Sequence, residues 1–134
     1  MKKFALLALI STTLSGCIAL KPYEPTPLNE NAKGITTVRS TPYGCKVLGE
    51  VEGKETWDRK DSFLGENEEV IDGAMNDLRN KAFDVVGGSK RITLRVIQEK
   101  TICNGDQLCD AETTTQRIKS HKVYAQIFEC GDKK

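Results

Sequence analysis

The sequence predicts a small α+β fold in which one amphipathic helix packs on a mainly antiparallel sheet of about four strands, in the order β-β-α-β-β. Between residues 68 and 86, apolar residues recur at steps of three and four, which is typical of a helix with one buried stripe. Segments before and after the helix alternate apolar and polar residues, as half-buried strands do. Glycine, proline and asparagine separate these segments.

The helix is the most strongly patterned element. Its apolar stripe consists of Val70, Ile71, Ala74, Met75, Leu78, Ala82, Val85 and Val86. We expect Asn67 to cap its N-terminus, with two acidic residues after it interacting favourably with the helix dipole. Gly87 or Gly88 is expected to end it. Gly73 costs about 1 kcal/mol relative to alanine in a helix, and it indicates either a close approach to the sheet or a tolerated residue.

Four segments are predicted as strands. Residues 35–39 form a short segment that is rich in β-branched residues, which is typical of an edge strand. Residues 45–51 would place Cys45, Val47 and Val51 on one face. Beyond the helix, residues 92–96 and 123–128 alternate in the same way. The last of these segments has apolar residues on both faces, which predicts a central position in the sheet.

The remaining segments are predicted as turns and loops. Proline and glycine favour a turn at residues 41–44. Residues 53–65 lack regular periodicity, and we expect a long loop there. Residues 100–119 are polar and contain the turn-forming Asn-Gly-Asp at residues 104–106, so a mobile hairpin loop is expected.

The N-terminus has the layout of an export signal. Two lysines precede an apolar stretch over residues 4–10, which is typical of a secretory signal peptide. The motif Leu-Ser-Gly-Cys at residues 14–17 resembles the lipobox of bacterial lipoproteins. This resemblance implies that residues 1–16 are removed and that Cys17 becomes a lipidated N-terminus held in a membrane by several acyl chains, palmitate among them. The alternatives are an ordinary cleaved signal peptide or a short membrane anchor, although the apolar run is shorter than a span needs.

Residues 17–33 are predicted to be a tether between the lipid and a folded domain. They contain three prolines and lack apolar periodicity. In an extended form residues 18–33 reach about 50 Å at most, so the domain would stay near its membrane. We assign residues 34–131 to a single domain and residues 132–134 to a C-terminal tail.

Composition argues against one class of partner and favours covalent cross-links. Loss of the signal removes two of 20 basic residues and leaves 18 against 19 acidic ones, so nucleic acid is not an expected partner. With 6% aromatic residues, the core is expected to be small. Besides Cys17, an exported chain with Cys45, Cys103, Cys109 and Cys130 predicts two disulfides. Four cysteines allow three pairings, and the cysteine count leaves them open.

No constellation of residues predicts catalysis, a cofactor or a metal. The spacing of Cys103, Cys109 and His121 matches no usual zinc pattern, and there is no Cys-x-x-Cys motif. His121 is the only histidine, and its neighbour Ser120 would face the opposite way on a strand, so we interpret His121 as a surface residue. An acidic cluster near the helix start is explained by the helix dipole. It comprises Glu66, Glu68, Glu69 and Asp72.

Trp57 is the only tryptophan and has two interpretations. A large aromatic residue among charged neighbours can cover the edge of a core. It can also be an exposed contact for a partner, because tryptophan is favoured in binding hot spots.

Several motifs together resemble the YjeI-type lipoproteins, which are small bacterial lipoproteins with a domain of unknown function. They include Gly-Cys-Lys-Val-Leu-Gly around Cys45, Asn-Asp-Leu-Arg-Asn at residues 76–80, a double glycine at residues 87–88 and the closing Cys130. The resemblance covers most of residues 38–130. More remotely, the layout is similar to that of the RcsF-type outer-membrane lipoproteins, which sense envelope stress.

The resemblance to the YjeI-type lipoproteins implies a disulfide pairing. Members that resemble this chain often carry only the outer two cysteines, which implies a Cys45–Cys130 bond. The remaining pair would be Cys103–Cys109, whose ends the Asn-Gly-Asp turn can bring together.

We therefore expect a non-enzymatic outer-membrane lipoprotein that binds an unknown ligand or an envelope protein. Its membrane contact would be the lipid on Cys17, with the domain facing the periplasm. The outer membrane is expected because Ile18 stands where an Asp would favour retention at the inner membrane. The alternatives are an RcsF-like stress sensor and, from another class, a small envelope hydrolase.

Overall fold

The computed structural model describes residues 23–57 and 66–132, in which one α-helix packs on one face of a mixed five-stranded sheet. In chain order the elements are a turn of 3-10 helix at Glu30–Ala32, β1 at Thr36–Val38, β2 at Lys46–Thr56, α1 at Asn67–Val86, β3 at Lys90–Cys103, β4 at Gln107–Cys109 and β5 at Ile118–Asp132. The α+β class agrees with the sequence prediction, and the sheet has five strands rather than about four.

The sheet has the strand order β1-β3-β5-β2, with the short β4 paired to β3. All pairs are antiparallel except β1 with β3, which is parallel. The predictions of an edge position for the first strand and a central position for the last are confirmed. β5 occupies almost all of one edge of β3. The strands β1 and β4 therefore both pair with the opposite edge of β3.

The main core lies between α1 and the inner face of the sheet. The predicted alternation on β3 and β5 is confirmed, because every second residue is buried against the helix. The sheet contributes Ile92, Leu94, Val123, Ala125 and Ile127, and the helix contributes Ala74, Leu78 and Ala82. A second cluster lies where α1 begins and consists of Trp57, Val70, Cys103 and Ile118.

Two glycines allow α1 to lie unusually close to β2. A Cβ atom at Gly53 would lie 2.3 Å from the carbonyl oxygen of Ala74 and 2.6 Å from Cβ of Leu78. A Cβ atom at Gly73 would lie 2.7 Å from the carboxyl carbon of Glu55. The first of the two interpretations of Gly73, a close approach to the sheet, therefore describes the structure.

The ends of α1 differ slightly from the prediction. Glu66, not Asn67, is the N-cap, and it forms a reciprocal capping box with Glu69. The side chain of Asn67 is used elsewhere, since it donates to the carbonyl of Gln116 and accepts from the N–H of Ile118. At the other end Gly87 has φ 79°, a conformation that favours glycine, and it ends the helix as predicted.

β2 is longer and less regular than predicted. A bulge between Val47 and Gly49 breaks the alternation, so Val47 is 51% exposed and does not share a buried face with Val51. The strand continues to Thr56 because β5 offers pairing partners as far as Ser120. The first part of the predicted loop at residues 53–65 is therefore strand, and residues 58–65 lie outside the described residues.

The prediction of one mobile hairpin loop over residues 100–119 is wrong, because strands occupy a large part of this stretch. β3 continues to Cys103, β4 pairs with it, and β5 already begins at Ile118. The tight turn is where the Asn-Gly-Asp motif predicts it, with Gly105 at φ 84° and Asp106 at φ 57°.

Residues 23–33, called the N-terminal segment below, pack against the domain. The Asn80 side chain donates to the carbonyl of Pro27 and accepts from the N–H of Asn29, and Ala32 is fully buried in the main core. The predicted boundary between tether and domain at residue 34 is thus wrong, because the helix offers amide side chains to this stretch of backbone. Residues 17–22 and 133–134 of the predicted tether and tail lie outside the described residues.

The structure contains the disulfides Cys45–Cys130 and Cys103–Cys109, the pairing that the family resemblance implies. The first joins the start of β2 to the end of β5 over a sequence separation of 85 residues. The second closes the β3–β4 hairpin over a separation of 6 residues.

The two bridges should differ in their contribution to stability. Loop entropy predicts that the paired substitution Cys45→Ala/Cys130→Ala lowers the free energy of unfolding by about 4.5 kcal/mol, and Cys103→Ala/Cys109→Ala by about 2 kcal/mol. Urea unfolding followed by the fluorescence of the buried Trp57 measures both values. Equal losses, or a larger loss for the hairpin bridge, would contradict this ranking.

Candidate functional site

The candidate site is an open cavity of about 670 Å³ on the inner side of the sheet, beside β3. β1 pairs with β3 only at residues 93–95 and β4 only at residues 101–103, so no strand among residues 23–57 and 66–132 pairs with residues 96–100 on this edge. The cavity lies at this gap. Its lining comprises Arg39, Ile71, Glu99, Thr101, Leu108, Cys109, Asp110, Ala111 and Glu112.

A chain of polar contacts forms the wall of the cavity. Arg39 donates from Nη1 to Oε2 of Glu99 at 2.9 Å. The other oxygen of Glu99, Oε1, lies 3.5 Å from Nε2 of His121. Nδ1 of His121 is hydrogen-bonded to the hydroxyl of Thr101 at 2.8 Å. Glu99 therefore connects an exposed guanidinium to an imidazole inside the protein.

His121 is fully buried, so the prediction that it is a surface residue is wrong. It lies two residues before Val123 on the same inward face of β5, directly opposite Glu55 on β2 and Thr101 on β3. The hydrogen bond between Thr101 and Nδ1, together with the carboxylate of Glu99 at 3.5 Å from Nε2, reduces the cost of burying the imidazole. Extending the alternation of Val123, Ala125 and Ile127 by one step toward the N-terminus would have placed His121 inside.

The environment of His121 favours the neutral imidazole. Burial lowers the pKa of His121, and the nearby Arg39 lowers it further, while Glu99 opposes both effects. Because the side chain has no exposed surface, a ligand in the cavity would meet Glu99 and Thr101, and the histidine would lie behind them.

The charges on the cavity wall are predominantly acidic. Glu99, Asp110 and Glu112 face one guanidinium, that of Arg39. Ile71, on α1, and Leu108, which is 71% exposed, add apolar surface. Such a lining suits a ligand that presents a cation beside an apolar group.

The cysteines considered as metal ligands are held in a disulfide. In residues 23–57 and 66–132, no three His, Cys, Asp or Glu side chains are grouped so that they could hold a metal ion.

Trp57 is 5% exposed and belongs to the second core cluster. The guanidinium of Arg117 lies 4.8 Å from the centre of its ring system, a cation–π geometry. The structure thus supports the interpretation of Trp57 as a core residue and contradicts that of an exposed partner contact.

Glu55 is a second buried polar centre and lies on β2, which β5 separates from β3 and the cavity. It is 8% exposed and accepts hydrogen bonds from the hydroxyl of Tyr23 at 2.6 Å and the hydroxyl of Thr26 at 2.5 Å. Burial and the hydrogen bond to Glu55 raise the pKa of Tyr23, which therefore stays a donor. These contacts hold the N-terminal segment against β2.

Cys17 and the predicted signal peptide lie outside the described residues, so lipidation stays a prediction. Within the described ranges, no helix is both long enough and apolar enough to cross a membrane.

Together, the fold and the disulfides define a small disulfide-linked α+β domain with an open cavity beside β3. The chain belongs to the family described as "Domain of unknown function (DUF4156)", whose model matches residues 26–130. The match begins at Thr26, inside the N-terminal segment that packs on the helix. No curated protein and no solved structure matches the chain.

The burial of His121 predicts a specific pH dependence of stability. Its folded pKa lies below the ordinary value of about 6.5, so as the pH falls below about 6.5 the unfolded chain binds a proton that the folded chain does not. We expect the free energy of unfolding to fall by up to about 1.4 kcal/mol per pH unit just below this value. Urea unfolding at a series of pH values between neutral and mildly acidic measures the slope.

The control for this prediction is His121→Gln in a chain without added histidines. Because the protein has a single histidine, the variant should show a much smaller slope in the same pH window. An unchanged slope in the variant would show that other groups cause the dependence.

Proposed function

We propose that this chain is a non-enzymatic lipoprotein of the bacterial outer membrane, with its domain in the periplasm, and that the cavity beside β3 binds a segment of another envelope protein. The lipobox resemblance at residues 14–17 supports the anchor. The docking of Tyr23, six positions after Cys17, supports a domain held close to that anchor.

The binding proposal rests on which side chains face the cavity and which one lies behind its wall. Arg39 and three carboxylates face the cavity, whereas the imidazole that could act as a general base is fully buried behind Glu99. A general base must come within hydrogen-bond reach of the proton that it removes. This arrangement favours holding a ligand over transforming one.

The open edge of β3 indicates what kind of ligand fits. A strand edge with free N–H and C=O groups can accept an extended peptide, and side-chain pockets beside it then provide specificity. Here the unpaired stretch at residues 96–100 lies beside the acidic wall of Glu99, Asp110 and Glu112. The proposed ligand is therefore an extended segment with a lysine or arginine next to an apolar residue.

A small envelope hydrolase is the second candidate, because the cavity does connect His121 to an acidic group at 3.5 Å. It would require the histidine to become accessible. The YjeI-type relationship and an RcsF-like sensing role stay hypotheses that rest on the sequence motifs, and reporters of envelope stress in a deletion strain test the sensing role.

Site-specific photocross-linking in intact cells tests the binding proposal. Leu108 lines the cavity and is 71% exposed, and Val85 on α1 lies outside it and is 70% exposed, which makes a matched pair. A photoreactive amino acid at position 108 should yield a discrete protein adduct, and the same residue at position 85 should not. Substituting Glu99→Gln together with Glu112→Gln should reduce the adduct, because it removes two charges that attract a basic side chain.

Equal cross-linking from both positions, or none from position 108, would contradict a binding role for the cavity.

Lipidation is tested separately. The wild-type chain should incorporate labelled palmitate and fractionate with the outer membrane, and Cys17→Ser should do neither. Accumulation of the wild type in the inner-membrane fraction would contradict the proposed location.

A further inference from the structure

Three lysines form a row across the outer face of the sheet, opposite to the helix. Lys54 on β2 lies directly opposite Lys122 on β5, which lies opposite Lys100 on β3. Both chain neighbours of Lys54 and of Lys122, and Thr101 beside Lys100, are buried on the inner face, so the lysines point to the outer face. We call this set the lysine row.

The lysine row is not explained by the stability of the fold. Like charges directly opposite each other on adjacent strands destabilise a sheet. One carboxylate, that of Glu52, lies 3.9 Å from Nζ of Lys122, and within the described part of the chain Lys54 and Lys100 form no ion pair. The next row toward the strand ends, Thr56, Ser120 and Ile102, carries no charge. The row therefore leaves an excess of positive charge on the surface.

The lysine row lies near the end of the domain at which the N-terminal segment begins. Tyr23 bonds to Glu55, the neighbour of Lys54, near the end of the sheet where β2 stops and α1 begins. From Cys17 to Tyr23 the chain advances six residues, which reach about 22 Å at most. The 20 residues of α1 extend about 30 Å away from this end. A lipid on Cys17 thus keeps the end with the lysine row nearer to the membrane.

We infer that the lysine row is a docking surface for the anionic headgroups of the membrane in which the protein is anchored. This inference rests on the proposed lipid anchor. Ammonium groups at a bilayer surface are attracted by lipid phosphates and by the negative surface potential, with a benefit of about fivefold in affinity for each lysine. Docking through the row would orient the domain on the membrane and would weaken with added salt.

Lysine reactivity on vesicles tests this inference. The complete lipidated protein is reconstituted in vesicles of phosphatidylcholine alone, and in vesicles of equal parts phosphatidylcholine and phosphatidylglycerol. An amine-reactive acetylating reagent and mass spectrometry then give the reaction rate of each lysine. Lys100 and Lys122 should react about fivefold or more slowly on the anionic vesicles. Lys33 and Lys46, exposed lysines outside the row, should react equally on both.

Slowing of Lys100 and Lys122 that high salt reverses supports the inference, and any other pattern overturns it. Equal rates on both vesicles show that the row does not dock, and equal slowing of Lys33 and Lys46 shows a general effect of the vesicle. The anchor is checked in the same spectra by the acylated mass of the Cys17 peptide. An unacylated Cys17 would refute the lipid anchor, and an acylated protein without protected lysines would refute only the docking.

Discussion

The buried carboxylate of Glu55 connects the N-terminal segment, the sheet and α1. It lies 8% exposed on β2, in contact range of α1 at Gly73, and it accepts hydrogen bonds from Tyr23 and Thr26. A carboxylate in such a place would be costly without donors. The two hydroxyl donors come from the N-terminal segment, so the burial of Glu55 depends on that segment being in place.

Glu55 also begins a polar row that continues through His121 to Thr101 across three adjacent strands. This row divides the inner face of the sheet into an apolar part under α1 and a polar part that ends at the cavity. A hydrogen bond joins Thr101 to Nδ1 of His121, and Oε1 of Glu99 lies 3.5 Å from Nε2 of the same ring. The wall formed by Glu99 and Arg39 therefore stands on polar side chains in the interior of the sheet.

Much of the fold follows from local patterns in the sequence. The stripe of α1 and the alternation of Leu94 and Ile127 are sufficient to predict the helix, two strands and their buried faces. The bulge after Val47 and the extension of β2 to Thr56 depend on pairing with β5, which no local pattern reveals. The docking of Tyr23 was missed for the same reason, since its partner Glu55 is 32 residues away. Of the residues that line the cavity, the sequence indicated only Cys109 as a candidate site residue, because Arg39, Glu99 and Glu112 meet through tertiary contacts.

The central claim is that the N-terminal segment is part of the folded domain and is held there by Glu55. Hydrogen exchange at the amides of Asn29 and Ala32 tests it most directly, since both donate in the structure. We predict slow exchange in the wild type, faster exchange by roughly tenfold or more in Glu55→Ala, and no change in Glu52→Ala, an exposed residue of the same strand. Exchange at the rate of an unfolded chain in the wild type, or an equal effect of both substitutions, would contradict the claim.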